Sequence, residues 1–380
     1  MHISRRRFLH SVSLGTAAGV LVPVSLPGVS NVSVLQSVQP KKIGKFIQLN
    51  HNENAYGPSS KTLKSIQAAV PMANRYVHHY ELAARIARFH GVRPSQVLLG
   101  CGSTEIMRMA VQAFLGYGKE LVQAAPTFHA PESYAKLIGA KVRLVPLTAE
   151  FAHDLDGMSG TGSGAPDLVY ICNPNNPTAS ITPRKNLEDF LGQLPPTTYV
   201  LIDEAYHHYA QQSSRYVSFL DQPFNDERVI VMRTFSIVYG LAGLRLGYAI
   251  ASPATLKRMR PFATLDNVNG MVARAAIAAL EDQQAIEECV RRNANDRQEF
   301  FNQAVARMLK PIDSHTNFVM MNAHHSAAEV TGHFRRNKIL IGQRFPAMDT
   351  YIRVSLGTPS EMRAFWRAWD LLPYANMHHH

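Results

Sequence analysis

The stretch Leu168-Val169-Tyr170-Ile171-Cys172-Asn173-Pro174-Asn175-Asn176-Pro177-Thr178 decides the fold. A short apolar run stops abruptly in polar residues. This is the pattern of a strand buried on both faces whose carboxyl end opens towards a ligand. Two X-Pro steps hold the turn rigid and leave the Asn176 amide free to donate. Similar runs lie on either side, at Leu121–Ala124, Lys141–Val145, Val200–Ile202 and Val229–Met232. Amphipathic helical periodicity separates them, so the pattern predicts an α/β architecture with a mostly parallel central sheet. Residues 149–165 are rich in Gly and Ser and read as a loop. After Pro261 the pattern changes. A helical stretch from about Val272 to Met308 precedes apolar Asn317–Met321 and a last strand at Tyr351–Ser355. These elements predict a smaller C-terminal α+β domain over 263–376, after a large domain over 61–262 and an N-terminal arm over 37–60.

The composition suits such a fold. Of 380 residues, 46% are hydrophobic and 18% charged, enough for a large core and too apolar for a disordered chain. The formal net charge is +11, but Lys and Arg are scattered. No basic block interleaves with aromatics and no nucleic-acid motif is present, so nucleic acid is set aside as a partner. Cys101, Cys172 and Cys289 show no paired spacing and read as core filling. Ser4-Arg5-Arg6-Arg7-Phe8-Leu9 matches the twin-arginine export pattern. The apolar Val12–Val29 that follows is broken by Gly15, Gly19 and Pro23, which suits an export segment over 1–36 better than a stable membrane span. The expectation is therefore a periplasmic or otherwise exported protein. Met377-His378-His379-His380 reads as a tag remnant.

Polar residues at the strand ends carry the chemistry. Ser103-Thr104-Glu105 follows Gly100-Cys101-Gly102 and opens a helical run from Ile106 to Phe114. Free backbone amides and the positive end of the helix dipole suit a phosphate there; alone, the motif is an ordinary helix cap. Leu201-Ile202-Asp203-Glu204-Ala205-Tyr206 puts a carboxylate at the end of a buried strand, with a phenol three residues on. Residues 233–248 add the Ser236 hydroxyl, Arg245 and closely spaced glycines.

In this order the motifs resemble the class I/II aminotransferases, and most closely the histidinol-phosphate aminotransferase family. The likeness runs from about Leu49 to Trp369 and includes the N-terminal signature at 49–59 and Asn74-Arg75-Tyr76. The resemblance implies the fold-type I architecture and pyridoxal 5′-phosphate (PLP) as cofactor. It implies that Asp203 meets the pyridinium nitrogen, that Tyr206 and Asn176 bond the ring 3-oxygen, and that Phe128 stacks on the ring. Ser103, Thr104, Ser236 and Arg245 would hold the phosphate, with Tyr76 reaching across a homodimer. Arg353 would grip a substrate carboxylate, with Asn54 beside the substrate. The implied activity moves an amino group between an amino acid or amine and a 2-oxo acid.

One position departs from the family. Its Schiff-base lysine follows Ser236, and here that residue is Ile237. Isoleucine can neither bond the cofactor nor carry a proton, so PLP is expected to bind non-covalently. Three readings stay open: a substituted transaminase, a lysine-less enzyme that uses another base, and a non-catalytic protein binding PLP or its amine adducts (aldimines). His78, His79, His207 and His208, next to Tyr76 and Tyr206, are candidate proton carriers or metal ligands. Gly342 stands where the resemblance places a substrate-phosphate arginine. That disfavours histidinol phosphate as substrate unless Arg344 compensates.

Overall fold

The computed structural model describes residues 44–77, 79–160, 164–223 and 225–373. The export segment at 1–36, His78 and the terminal 377–380 lie outside them. Among the described residues eleven strands follow in chain order: β1 (Ile47–Leu49), β2 (Val97–Gly100), β3 (Glu120–Ala125), β4 (Lys141–Pro146), β5 (Leu168–Cys172), β6 (Tyr199–Asp203), β7 (Val229–Thr234), β8 (Gly247–Ile250), β9 (Phe318–Asn322), β10 (Ile339–Ile341) and β11 (Tyr351–Ser355).

Seven of them form one sheet in the order β2-β8-β7-β6-β5-β3-β4. Only β8 runs against its neighbours; the other pairings are parallel. The pleat explains why β5, β6 and β7 are apolar throughout. Val169, Ile171, Val200, Ile202, Val229 and Val231 point into one core. Leu168, Tyr170, Cys172, Leu201, Ile230 and Met232 point into the other. Helices cover both faces, so neither set meets water. The carboxyl ends of β5, β6 and β7 lie side by side, with Cys172 opposite Asp203 and Asp203 opposite Met232. That row is the floor of the site.

A separate core gathers around the antiparallel β9–β11 pair, with Phe300, Phe334, Phe365 and Trp366 packed beside it. β1 pairs in parallel with β10, and Leu49 is buried in this core. The arm at 47–49 is thus stitched to the C-terminal layer, which sets where Asn50 to Asn54 stand.

Three expectations need correction. The stretch read as one helix from Val272 to Met308 is two, Gly270–Leu280 and Gln283–Val305. At the break, Asp282 leaves helical geometry and its carboxylate accepts from the Ser59 hydroxyl at 2.6 Å. The loop at 149–165 holds a short helix, Leu155–Ser159, capped by Asp154. All three cysteines are free, and Cys101 is exposed rather than a core filler. Among the described residues no helix is long and apolar enough to cross a membrane.

Candidate active site

A cavity of about 650 Å³ opens above the ends of β5, β6 and β7. The turn after β5 shows how the sequence builds one wall. Asn173 is tied to Thr182, donating to its carbonyl and accepting from its N–H, both at 3.0 Å. Asn175 donates to the Pro126 carbonyl and to Thr178 Oγ1, and accepts from Thr127 Oγ1 at 2.7 Å. Those two asparagines lock the loop, and Asn176 is left facing the cavity. Its amide donates to Tyr206 Oη at 3.2 Å, and its carbonyl accepts from Arg353 Nη1 at 2.7 Å.

Tyr206 also accepts from Asn52 Nδ2 at 3.0 Å. Burial pushes its phenol pKa well up, so the group stays protonated. Asn52 adopts a left-handed backbone conformation (φ 56°), where asparagine is tolerated better than most residues. Its N–H donates to Ser355 Oγ, and that hydroxyl donates to Asn52 Oδ1. The arm, β11 and Tyr206 are thereby one network.

Asp203 ends β6 and is 3% exposed. Tyr170 Oη donates to its Oδ2 at 2.8 Å, and the Ala205 N–H to its Oδ1 at 3.0 Å. Burial pushes its pKa up to about 6, because no cation offsets the desolvation. The neighbouring Glu204 differs: it is paired with buried Arg233 at 3.1 Å and with Ser218, beneath the site. Glu204 and Arg233 form a structural pair, while Asp203 faces the cavity.

An anion cup lies at the start of the helix Ser103–Phe114. Ser103, Thr104, Ser236 and Arg245 all line it. Arg245 donates to the Ala242 carbonyl, Ser236 Oγ and Thr104 Oγ1, at 2.9, 3.4 and 3.5 Å, and to no carboxylate among the described residues. Two glycines make the close approach possible. A Cβ on Gly102 would stand 2.1 Å from Arg245 Nη2, and one on Gly247 2.4 Å from the Ser103 nitrogen.

Arg353 forms the opposite end. It is 8% exposed and donates to Asn176 Oδ1 and to the Asn50 carbonyl, both at 2.7 Å. Its Nε and Asn50 Oδ1 are buried without a partner. Burial lowers its pKa. A buried guanidinium with no counter-ion among the described residues is suited to a carboxylate.

The other candidates separate. Phe128 and Ile237 line the cavity, and Ile237 is 8% exposed. No lysine lines it among the described residues. Asn54 does not line it; its amide goes to the Val238 carbonyl and Cys289 Sγ, and Asn52 stands in its place. Tyr76 lies outside and is 87% exposed. His207 and His208 point away, towards Tyr216 and Tyr239. Burial and nearby Arg233 push both imidazole pKa values far down, His208 to about 3. His79 also lies off the cavity. Among the described residues no three His, Cys, Asp or Glu gather around a metal position. The histidines that do face the cavity are His51, inside the 49–59 signature but given no role there, and His129, which carried no motif in the sequence. A side chain on Gly342 would press on Arg353, its Cβ 2.8 Å from that residue's carbonyl, so no arginine fits there without displacement. Arg344 does not compensate: it is paired with Asp349.

These features fit PLP without the covalent link. The cup offers an unpaired cation to a phosphate, and Asp203 offers an uncompensated carboxylate to a ring N–H. Residue 237 offers no amine.

Known proteins share this fold and identify the family. The family described as aminotransferase class I and II matches residues 44–368. The histidinol-phosphate aminotransferase of Moorella thermoacetica is 33% identical over 330 residues, covering 85% of this chain and 84% of that protein. The one from Bacillus subtilis is 33% identical over 329 residues, covering 84% and 89%. The solved histidinol-phosphate aminotransferase of Sinorhizobium meliloti, in complex with pyridoxal-5′-phosphate, superposes with a TM-score of 0.79 at 27% identity, covering 85% of this chain and 89% of that one. The chain therefore belongs to the class I and II aminotransferases, PLP-dependent enzymes of the fold-type I architecture.

Proposed function

We propose that the cavity holds PLP non-covalently and takes an amino acid or 2-oxo acid by its carboxylate, for amino transfer slowed by the missing lysine. The observation that carries this reading is the presence of two unpaired arginines, Arg245 and Arg353, at opposite ends of one cavity, with the unpaired carboxylate of Asp203 on its floor. Ser103, Thr104, Ser236 and Arg245 hold the phosphate. Asp203 takes the ring N–H, Tyr206 and Asn176 bond the ring 3-oxygen, and Phe128 covers the ring face. When bound, PLP supplies an electron sink for the bond broken at the substrate α-carbon. Arg353 fixes the substrate carboxylate through its guanidinium, and Asn176 links that arginine to the ring site. Gly342 carries no guanidinium where the family resemblance expects one for a substrate phosphate, and Arg335 is a third arginine on the cavity wall.

The test separates the two ends. Arg353→Ala weakens 2-oxo acid binding to the PLP-loaded protein about a hundredfold, as expected for losing a buried charged bidentate contact, and leaves PLP affinity within about threefold. Equal loss of both ligands would sink the assignment.

Two further parts of the reading concern assembly and export. A homodimer is favoured by exposed Val70, Met72, Tyr76 and Tyr80, which lie close in sequence, and by Tyr76 standing free of its own cavity. On this reading the protein sediments as a dimer, and Tyr76→Ala loses about tenfold in PLP affinity without changing its mass in solution. Export rests on Ser4-Arg5-Arg6-Arg7-Phe8-Leu9 and the broken apolar stretch Val12–Val29. Replacing Arg5, Arg6 and Arg7 with Lys should keep the protein inside the cell, as fractionation would show.

A further inference from the structure

Tyr170 lies in the middle of β5 and is wholly buried. Its ring packs in the core on the side of the sheet away from Ile171 and Ile202. Phenylalanine would fill that space. A phenol there must find a partner for its hydroxyl or leave a polar group stranded. It donates to Asp203 Oδ2 at 2.8 Å, and it does not line the cavity. Asp203 does. The Ala205 N–H holds the other carboxylate oxygen at 3.0 Å. Cys172 stands beside Asp203 across the β5–β6 ladder; its thiol bonds the Pro174 carbonyl and gives the carboxylate a smaller support than Tyr170 does.

We propose that Tyr170 is a positioning residue for the cofactor: from behind the sheet it holds Asp203 oriented and ionised to accept the ring N–H. This rests on the reading that the cavity binds PLP.

The surroundings give the sign. Burial drives the Asp203 pKa upwards, and neighbouring Glu204 adds to this; the donations from Tyr170, Ala205 and, least, Cys172 oppose it. Glu204 is turned to Arg233 and Ser218, β7 offers Met232 opposite, and Tyr206 remains a neutral phenol. No cation faces Asp203 from these elements. Tyr170 is thus a main support of its charged form. Without the hydroxyl the Asp203 pKa rises, and more of it is protonated, and unable to accept, near neutral pH.

The experiment compares PLP with its carbon analogue, in which the ring nitrogen is CH, by fluorescence titration of wild type and Tyr170→Phe between pH 5 and 8.5. In wild type the preference for PLP over the analogue falls as pH drops through about 6, the Asp203 pKa. In Tyr170→Phe the midpoint moves up by about one pH unit, so the preference at pH 6 drops about fivefold and at pH 7.5 changes by less than about twofold, while affinity for the analogue stays within about twofold. Equal weakening of both probes would show a packing role and overturn the proposal, as would an unchanged preference at pH 6. If Tyr170→Phe does not fold, 3-fluorotyrosine at 170 replaces it. A more acidic phenol donates more strongly and moves the midpoint down; an unmoved midpoint overturns the proposal. Wild type that binds neither probe overturns the cofactor reading itself, and the Tyr170 assignment with it. Wild type that binds both probes alike overturns the Asp203 contact and Tyr170's part in it.

Discussion

Ile237→Lys converts the protein into a fast transaminase, with a gain of at least about a thousandfold over wild type. The size follows from what one residue supplies in this family: both the covalent hold on the cofactor and the proton carrier, groups whose loss costs several orders of magnitude. The surroundings are ready for the change. Ile237 lines the cavity and is buried, so a lysine stem covers similar apolar surface while its amine reaches the open volume. The main chain there is fixed. The Gly240 N–H donates to the Ile237 carbonyl at 3.0 Å, and Gly240 packs so tightly on the arm that a Cβ would stand 2.5 Å from the Gly57 carbonyl carbon. Arg245 and Arg353 in the same cavity favour the neutral amine, the form that attacks an aldehyde. Borohydride should trap PLP on residue 237 of the variant, seen by mass spectrometry, and nothing on wild type. Ile237→Met conserves volume without an amine and should stay at the wild-type rate. A Lys variant that folds, binds PLP and remains as slow as Ile237→Met would mean that position 237 does not face the reacting carbon.

How far the sequence could be read depends on where each contact comes from. The floor was legible because β5, β6 and β7 end in polar residues, and a pleat alternating between two cores sends their ends to one edge. Asn176, Asp203, Tyr206 and Arg353 meet at that edge as expected. Asn54 misled because the arm turns at a left-handed Asn52 held by Ser355, 303 residues away; no local pattern shows which asparagine faces inward. The histidine pair after Tyr206 misled for a related reason. Adjacency says nothing about direction once the chain turns into the short helix His207–Ala210, and both rings turn towards Tyr216 and Tyr239. β8 was missed because Gly247 to Ile250 is short and takes its place by pairing with β2 and β7. The role of Tyr170 was also hidden. In sequence it is one more bulky residue in an apolar strand, and only the register with Asp203 gives its hydroxyl a purpose.

Those buried histidines dictate a second large effect: the protein loses stability steeply as pH falls from 6.5 to 5. His90, His153 and His208 have pKa values pushed down by burial to about 3, 4 and 3, and His207 is lowered in the same direction. Arg233 adds to the shift at His90, His207 and His208. An unfolded histidine titrates near 6.5. Between that value and the depressed folded ones, the unfolded chain binds protons that the folded chain refuses, so stability present above 6.5 drains away as the pH drops. At pH 5 each contributes a loss of about 1–2 kcal/mol, and the set about 5 kcal/mol. Asp203 works the other way. Its folded pKa is raised to about 6, so the apo-protein gains roughly 1 kcal/mol as that carboxyl takes up a proton, which offsets only a part. The apparent melting midpoint should fall by about 10 °C or more between pH 7.5 and 5 at constant ionic strength. His208→Phe, which removes one titrating ring beside Tyr239, should flatten that slope by one histidine's share. A midpoint that holds steady to pH 5 would mean that these rings accept protons in the folded state. The case against them as the missing proton carriers would then fail, because that case requires imidazoles kept neutral and turned from the cavity.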